Sequence, residues 1–289
     1  MAASKTAPFS SPSARGRDAL LRHYAIECEL ADRLRAAAPA ERKELYRRVY
    51  DELFSRVSDH PQNARKHDPT LQAARTARQL RFLDRFLKPD SVYLEVGPGD
   101  CHLARTIALR VGRVYAVDVS ELIAGTDDPP ANFRLIVSDG VTIDVPPGSV
   151  HVAYSNQLME HLHPDDASEQ LGEIYRALAP GGVYVCVTPH RYSGPHDISQ
   201  YFDAEARGFH LKEYSYRELR DLFRAAGFVR TSPWGGCKGR FLRLPEWLVL
   251  GVESILGRLP ARIRRTLARS RPVRTVFGTV TITGRKGNA

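Results

Sequence analysis

The sequence predicts an α/β fold, an open and mostly parallel sheet with helices on both faces, and three observations predict it. The run Val92-Tyr93-Leu94-Glu95-Val96 is apolar at four of five positions and rich in β-branched and aromatic residues, as in a buried strand. It runs into Gly97-Pro98-Gly99, where the backbone must turn sharply and lie bare against something. An apolar, helix-compatible run from Leu103 to Val111 follows, and strand, glycine turn and helix together open a nucleotide-binding α/β sheet. Between residues 91 and 188 the pattern suggests five strand–helix alternations, hence parallel strands with right-handed crossovers.

The elements follow in order. Residues 1–18 hold Ala, Ser and basic residues with no acid before Asp18, which predicts a disordered tail. Residues 19–88 read as an N-terminal helical cap. Helical spacing runs from Ala19 to Ala38, then from Pro39 to Val57 with Leu45, Val49 and Leu53 on one face, and then from about Thr70 to Phe86. These helices are expected either to pack on the sheet or to form a lid over its carboxyl edge. Residues 89–237 form the core. Its later strands are Arg113 to Asp118, Phe133 to Val137, Val150 to Asn156, Val183 to Val187 and Phe228 to Trp234, with a helix from Ser215 to Ala226 stopped by Gly227. Residues 238–274 are a basic amphipathic insert with ten Lys or Arg residues against Glu246 and Glu253. Its predicted apolar face is Trp247, Leu248, Val252, Ile255, Leu256 and Leu259. Residues 275–289 supply the last strand and a tail.

Spacing separates the candidate nucleotides. A dinucleotide fingerprint needs a glycine at its sixth position, which is His102 here, so a dehydrogenase is disfavoured. Asp118 ends the second strand 21 residues past Gly97, where a carboxylate can accept both hydroxyls of a ribose. With Glu95-x-Gly97-x-Gly99, Asp118, Ser138-Asp139-Gly140, Ser155-Asn156-x-x-x-Glu160-His161 and Leu178-x-Pro180-Gly181-Gly182 in order, the chain resembles the class I S-adenosylmethionine-dependent methyltransferases. The resemblance covers roughly residues 80 to 235 and the last strand, and departs from the family at Cys101, where a third glycine is usual. It implies a Rossmann-like, seven-stranded, mostly parallel sheet with an antiparallel last strand. It also implies S-adenosylmethionine as cofactor, bound by Glu95, Gly97, Gly99, Asp118, Asp139, Gly140 and Asn156. In that arrangement Glu95 serves the ammonium side, Asp118 the ribose and Asp139 the adenine amino group. Taken on its own, Asp139-Gly140 is equally a turn former.

Methyl transfer is an in-line displacement at a carbon activated by a sulfonium. The protein must align the acceptor and, where it carries a proton, remove it. Histidine has a suitable pKa. The catalytic candidates are His190, which follows the fifth strand, then His161 and His196, with His163 and His210 behind them. The expected reaction is methylation of a small-molecule, glycan or lipid-linked acceptor, at a hydroxyl before other groups. The alternative is C-methylation of a quinone-like or prenylated acceptor at a membrane surface, to which the basic insert would give peripheral contact. The insert is equally readable as a helical cover on the core or as a homodimer interface. A cofactor-binding protein without catalysis is the remaining reading.

Composition narrows the classes. The 289 residues carry a net charge of +9, but nearly all of that excess lies in residues 238–274. No Asp/Asn-Pro-Pro-aromatic motif stands at Ser155-Asn156-Gln157-Leu158 and no Pro-Cys pair occurs, so a nucleic-acid partner is not expected. Cys28, Cys101, Cys186 and Cys237 are scattered, which predicts neither a disulfide framework nor a metal site and suits a reducing cytoplasm. No uncharged apolar run approaches the roughly 18 residues of a membrane span.

Overall fold

Strand β1, Val92–Val96, is buried along four of its five residues, as its unbroken apolar run requires of a strand covered on both faces. Leu94 and Val96 point into one core and Tyr93 into the other. A computed structural model describes residues 15–60, 69–120, 128–237, 240–271 and 273–288. Strands β2 (Arg113–Asp118), β3 (Phe133–Val137), β4 (Val150–Asn156) and β5 (Leu178–Pro189) are parallel to β1. Strands β6 (Arg230–Cys237) and β7 (Arg240–Arg243) form an antiparallel pair, and β8 (Thr279–Arg285) lies antiparallel between β5 and β6. The order is β3-β2-β1-β4-β5-β8-β6-β7. Connections leave β1 toward β2 on one side and reach β4 on the other, so the crevice at the carboxyl ends of β1 and β4 is the switch point where such sheets bind ligands.

The sheet has eight strands where seven were expected. The addition, β7, is short and edge-exposed, with Arg240 and Arg243 at its ends and Phe241 4.5 Å from the Phe82 ring. Cationic side chains protect such an edge from further pairing. The expected five strand–helix alternations are also fewer. Helix α4 (His102–Ala108) joins β1 to β2 and helix α5 (Pro164–Ala177) precedes β5, but residues 138–149, between β3 and β4, form no helix. There the Asp139 side chain closes a turn instead.

Before the sheet come α1 (Arg17–Ala36), α2 (Pro39–Arg56) and α3 (Pro69–Leu83). Leu30, Val49 and Leu53 of α1 and α2 join Leu94, Tyr115 and Met159 in one core, while Leu80, Phe82 and Leu83 of α3 join Tyr93 and Ile107 in the other. The expected tail falls largely on residues 1–14, outside the described residues. Helix α6 (Tyr216–Ala225) starts at a reciprocal cap between Ser215 and Glu218, and Gly227 beyond its end takes φ +105°.

The insert folds as β7, then α7 (Glu246–Gly257), α8 (Ala261–Arg269) and α9 (Arg274–Phe277). Its apolar residues divide differently from the predicted face. Val249, Leu250 and Leu256 are buried, whereas Trp247 is 76% and Ile255 61% exposed. Among the described residues, no helix is long and apolar enough to cross a membrane.

Candidate functional site

A pocket of about 500 Å³, including the solvent at its mouth, opens over the carboxyl ends of β1, β2 and β3. Gly97, Asp118, Ser138 and Gly140 line it from the strand ends, Leu158, His161 and Leu162 from the link after β4, and Gln170 from α5. Tyr46 and Tyr50 of α2 cover it, so the second helix of the cap forms part of its roof.

The glycine turn works as its composition requires. Gly97 takes φ +68°, and a Cβ there would stand 3.0 Å from Leu158 Cδ1. Gly99 takes φ +60° with open space at its Cβ position. Cys101, in place of the usual third glycine, adopts the same left-handed conformation at φ 56° and is fully buried. On the far wall Gly140 has φ +89°, and a Cβ would lie 3.1 Å from Tyr46 Cδ2 and 3.3 Å from Val119 Cγ1. At Gly97 and Gly140 a side chain would intrude on the pocket walls.

The carboxylates differ sharply. Glu95 is 5% exposed and, among the described residues, its Oε2 meets no hydrogen-bond donor. Burial pushes its pKa well above the ordinary glutamate value. A buried carboxylate oxygen without a donor calls for a ligand that brings one, and an ammonium group is such a ligand. Asp118 sits half-buried on the pocket wall, with Oδ1 accepting from Ser120 N at 3.3 Å. Asp139 is placed differently. Its Oδ1 accepts from Val141 N at 2.9 Å and Thr142 N at 2.7 Å, its Oδ2 from Thr142 Oγ1 at 2.9 Å, and the Lys43 ammonium lies 3.7 Å away. Burial works against the charge, but these donors outweigh it and hold Asp139 below the usual aspartate range. Its carboxylate is committed to the turn, and Ser138, Gly140 and Thr142 face the pocket in its stead. Asn156 ends β4 beside Val187, and of the predicted cofactor residues Gly97, Asp118 and Gly140 line the pocket while Glu95, Gly99, Asp139 and Asn156 do not.

Of the three catalytic candidates only His161 reaches the pocket. Its Nδ1 lies 2.9 Å from the Phe209 carbonyl, and burial pushes its pKa down to about 3, so the ring is neutral with Nδ1–H donating. His190, the first choice from sequence, is fully buried elsewhere. Its Nδ1 accepts from Tyr192 N at 3.0 Å, so Nε2 carries the hydrogen and donates to Glu253 Oε1 at 2.9 Å. Burial lowers its pKa. With both ring nitrogens engaged, His190 ties α7 to the end of β5 rather than facing a substrate. His196 is also off the pocket, with Nε2 3.1 Å from Ser193 Oγ and Nδ1 3.4 Å from Glu213 Oε1.

Tyr46, Tyr50 and Gln170 had no motif to announce them. Their only signal was the helical spacing of Tyr46 and Tyr50, one turn apart on α2, which sets a shared face but not what that face covers.

A family model described as a methyltransferase domain matches residues 66–232. A protein of Mycolicibacterium smegmatis described as a probable S-adenosylmethionine-dependent methyltransferase is 33% identical over 138 residues, which are 47% of this chain and 51% of the relative. The chain thus spans about half the length of that relative. Among solved structures, a SAM-dependent methyltransferase from Archaeoglobus fulgidus superposes with a TM-score of 0.51 at 18% identity, covering 74% of this chain and 94% of the other. A 1,6-didemethyltoxoflavin N1-methyltransferase of Burkholderia thailandensis, solved with S-adenosylhomocysteine, gives 0.50 at 18% identity over 87% and 92%. At that identity these two speak for the fold alone. The glycine turn, the buried Glu95 two residues before it, Asp118 on the pocket wall and a family match over more than half of the chain lead to one assignment: this chain belongs to the class I S-adenosylmethionine-dependent methyltransferase family.

Proposed function

We propose that the protein transfers the methyl group of S-adenosylmethionine to a hydroxyl of a small-molecule, glycan or lipid-linked acceptor. The observation that carries the reading is the combination of Glu95, whose buried Oε2 meets no donor among the described residues, in the strand leading into the glycine turn, with the Asp118 carboxylate on the wall of the roofed pocket. S-adenosylmethionine supplies an electrophilic methyl group on a sulfonium. Glu95 receives the cofactor's ammonium, Gly97 allows close backbone approach, and Asp118 accepts the ribose hydroxyls. Gly140 and Ser138 flank the adenine beneath Tyr46, with Asp139 shaping their turn. Gly99 and Asn156 act through the backbone of the strand ends. Tyr50, Leu158 and His161 border the remaining space, where the acceptor enters beneath the Tyr46 and Tyr50 roof.

Calorimetry with S-adenosylhomocysteine tests this. Micromolar binding to the wild type that is lost in Asp118→Ala supports the reading and justifies an acceptor screen beginning with glycans and prenylated lipids. Absence of binding to the wild type, or binding of NADH in its place, overturns it.

The exposed face of the insert favours a lipid-linked acceptor. Trp247 and Ile255 on α7 and Ile263 on α8, the last 52% exposed, belong to an insert that also carries the exposed Arg258 and Arg262, a combination that suits an anionic bilayer surface. Co-sedimentation with anionic but not zwitterionic vesicles, abolished in Trp247→Ala, is the expected result. Equal recovery in the supernatant with both vesicle types excludes it.

A further inference from the structure

Behind His161 the pocket wall holds a group of titratable side chains that cofactor binding does not use. Glu160 and His161 sit together in a one-turn helix, Met159–His161, and His210 approaches from the loop before α6. One ligand atom from each lies within 4.8 Å of the others, and the two imidazole rings meet edge to face at 5.0 Å. We propose that Glu160, His161 and His210 form a binding site for a divalent transition-metal cation such as zinc, with an open coordination position facing the pocket.

Three features carry the assignment beyond proximity. Each histidine is oriented as metal-bound histidines are, with the second ring nitrogen held by an acceptor. His161 Nδ1 lies 2.9 Å from the Phe209 carbonyl and His210 Nδ1 2.8 Å from Glu213 Oε1. Nε2 is therefore the ring nitrogen left for a ligand bond on both histidines. The carboxylate is also prepared. Glu160 is 0% exposed, its Oε2 accepts from Thr188 Oγ1 at 2.8 Å, and its Oε1 has no partner among the described residues. The third feature is the contrast with His23, Glu27 and His60, the other such cluster among the described residues. There both nitrogens of His23 are occupied, by Arg15 Nη1 at 2.8 Å and Glu27 Oε1 at 2.7 Å, so hydrogen bonds close the cluster without an ion.

Two imidazoles and one carboxylate suit zinc and its neighbours rather than magnesium or calcium. Bonds of about 2.0–2.2 Å require the three ligand atoms to draw together, which side-chain rotation supplies. Three protein ligands leave a position open, and His161 places it on the pocket wall. Resting on the proposed methyl transfer, the site acquires a role there. An acceptor hydroxyl at the open position releases its proton to solvent more readily. Its oxygen lone pair then forms the bond to the methyl carbon as that carbon's bond to sulfur breaks.

The full-length protein is stripped with a chelator, then titrated with zinc chloride by calorimetry and with cobalt chloride by visible absorption. The expected result is one equivalent bound, tetrahedral cobalt bands, abolition of both in His210→Ala, and affinity lowered roughly ten- to a hundredfold in Glu213→Gln. S-adenosylhomocysteine binding in each variant shows that the chain is folded, and His210→Gln replaces the alanine variant if that one fails. A wild type that binds S-adenosylhomocysteine but no zinc overturns the metal site and leaves the methyltransferase reading standing. Undiminished zinc binding in folded His210→Ala, lost instead in His23→Ala, overturns it also. Zinc binding without any S-adenosylhomocysteine binding sinks the functional reading and leaves the metal site.

Discussion

Arg42 and Asp166 meet through two parallel hydrogen bonds, Nε to Oδ2 and Nη2 to Oδ1, both 2.7 Å and shielded from solvent. Tyr46 Oη adds a third to Oδ2 at 2.7 Å, and Arg42 Nη1 donates to the Ala37 carbonyl at 2.8 Å. This planar pairing fastens α2 to the first turn of α5 and so sets the height of the Tyr46 and Tyr50 roof. Arg42→Ala strands the carboxylate and is expected to cost roughly 3–5 kcal/mol of folding stability in denaturant melts, with weaker S-adenosylhomocysteine binding. The pH dependence has a definite sign. Burial alone would raise the Asp166 pKa, but the guanidinium and the phenol more than offset it and hold it below the ordinary value. The stabilisation is therefore complete above the unfolded aspartate pKa of about 3.9 and is lost as pH falls through the lower folded value. The melts of wild type and Asp166→Asn should converge in acid.

Glu95 behaves in the opposite sense. Its raised pKa means that the protonated acid suits the folded, ligand-free chain. That contribution is present below the unfolded glutamate pKa, about 4.3, and fades as pH rises through the folded value. Glu95→Gln removes the penalty, so the variant's stability advantage should grow with pH when no ligand is present. The same change should weaken S-adenosylhomocysteine by roughly ten- to a hundredfold, the 1.5–3 kcal/mol range of a charged hydrogen bond. Wild-type affinity in the variant would remove Glu95 from the site.

Gly97→Ala combines a left-handed backbone with a Cβ against Leu158, whereas Gly99→Ala meets only the backbone cost. The expected penalty for the conformation is roughly 1–2 kcal/mol, about tenfold in cofactor affinity. Calorimetry should rank Gly97→Ala below Gly99→Ala, and equal losses would show that the contact with Leu158 is relieved without cost.

His190 and Glu253 form a buried hydrogen-bonded pair, so His190→Asn should lower the melting temperature while leaving kcat within a few-fold below that temperature. A general base would instead show a loss of roughly 10²–10⁴ in kcat. Turnover of the acceptor found in the screen separates the two.

How much of this was legible follows from what each feature depends on. The strand ends and glycine positions were legible because an apolar run and a required positive φ are properties of a few consecutive residues. The position of Asp118 was legible because a fixed length of helix and strand separates it from Gly97. His190 misled because being next to a strand end says nothing of where the ring turns. That was decided by Glu253, 63 residues later, inside an insert read only for its charge. The Asp139 turn was visible as a possibility in Asp-Gly, but only the donors at Val141 and Thr142 show that it occupies the carboxylate. Strand β7 is too short for a period, and the Tyr46 roof depends on Asp166 in another element.

The place of β8 in the sheet carries a consequence for how the chain is assembled. Thr279–Arg285 fills the slot between β5 and β6, so until those residues arrive β5 presents an open edge of unpaired amides and carbonyls. On the ribosome, β1 to β4 and the glycine turn can pair among themselves long before that edge is closed. The half of the sheet that holds Glu95 and Asp118 is thus built from near neighbours. The half that carries the insert waits on a contact spanning about a hundred residues, and should be the slow and aggregation-exposed part of synthesis.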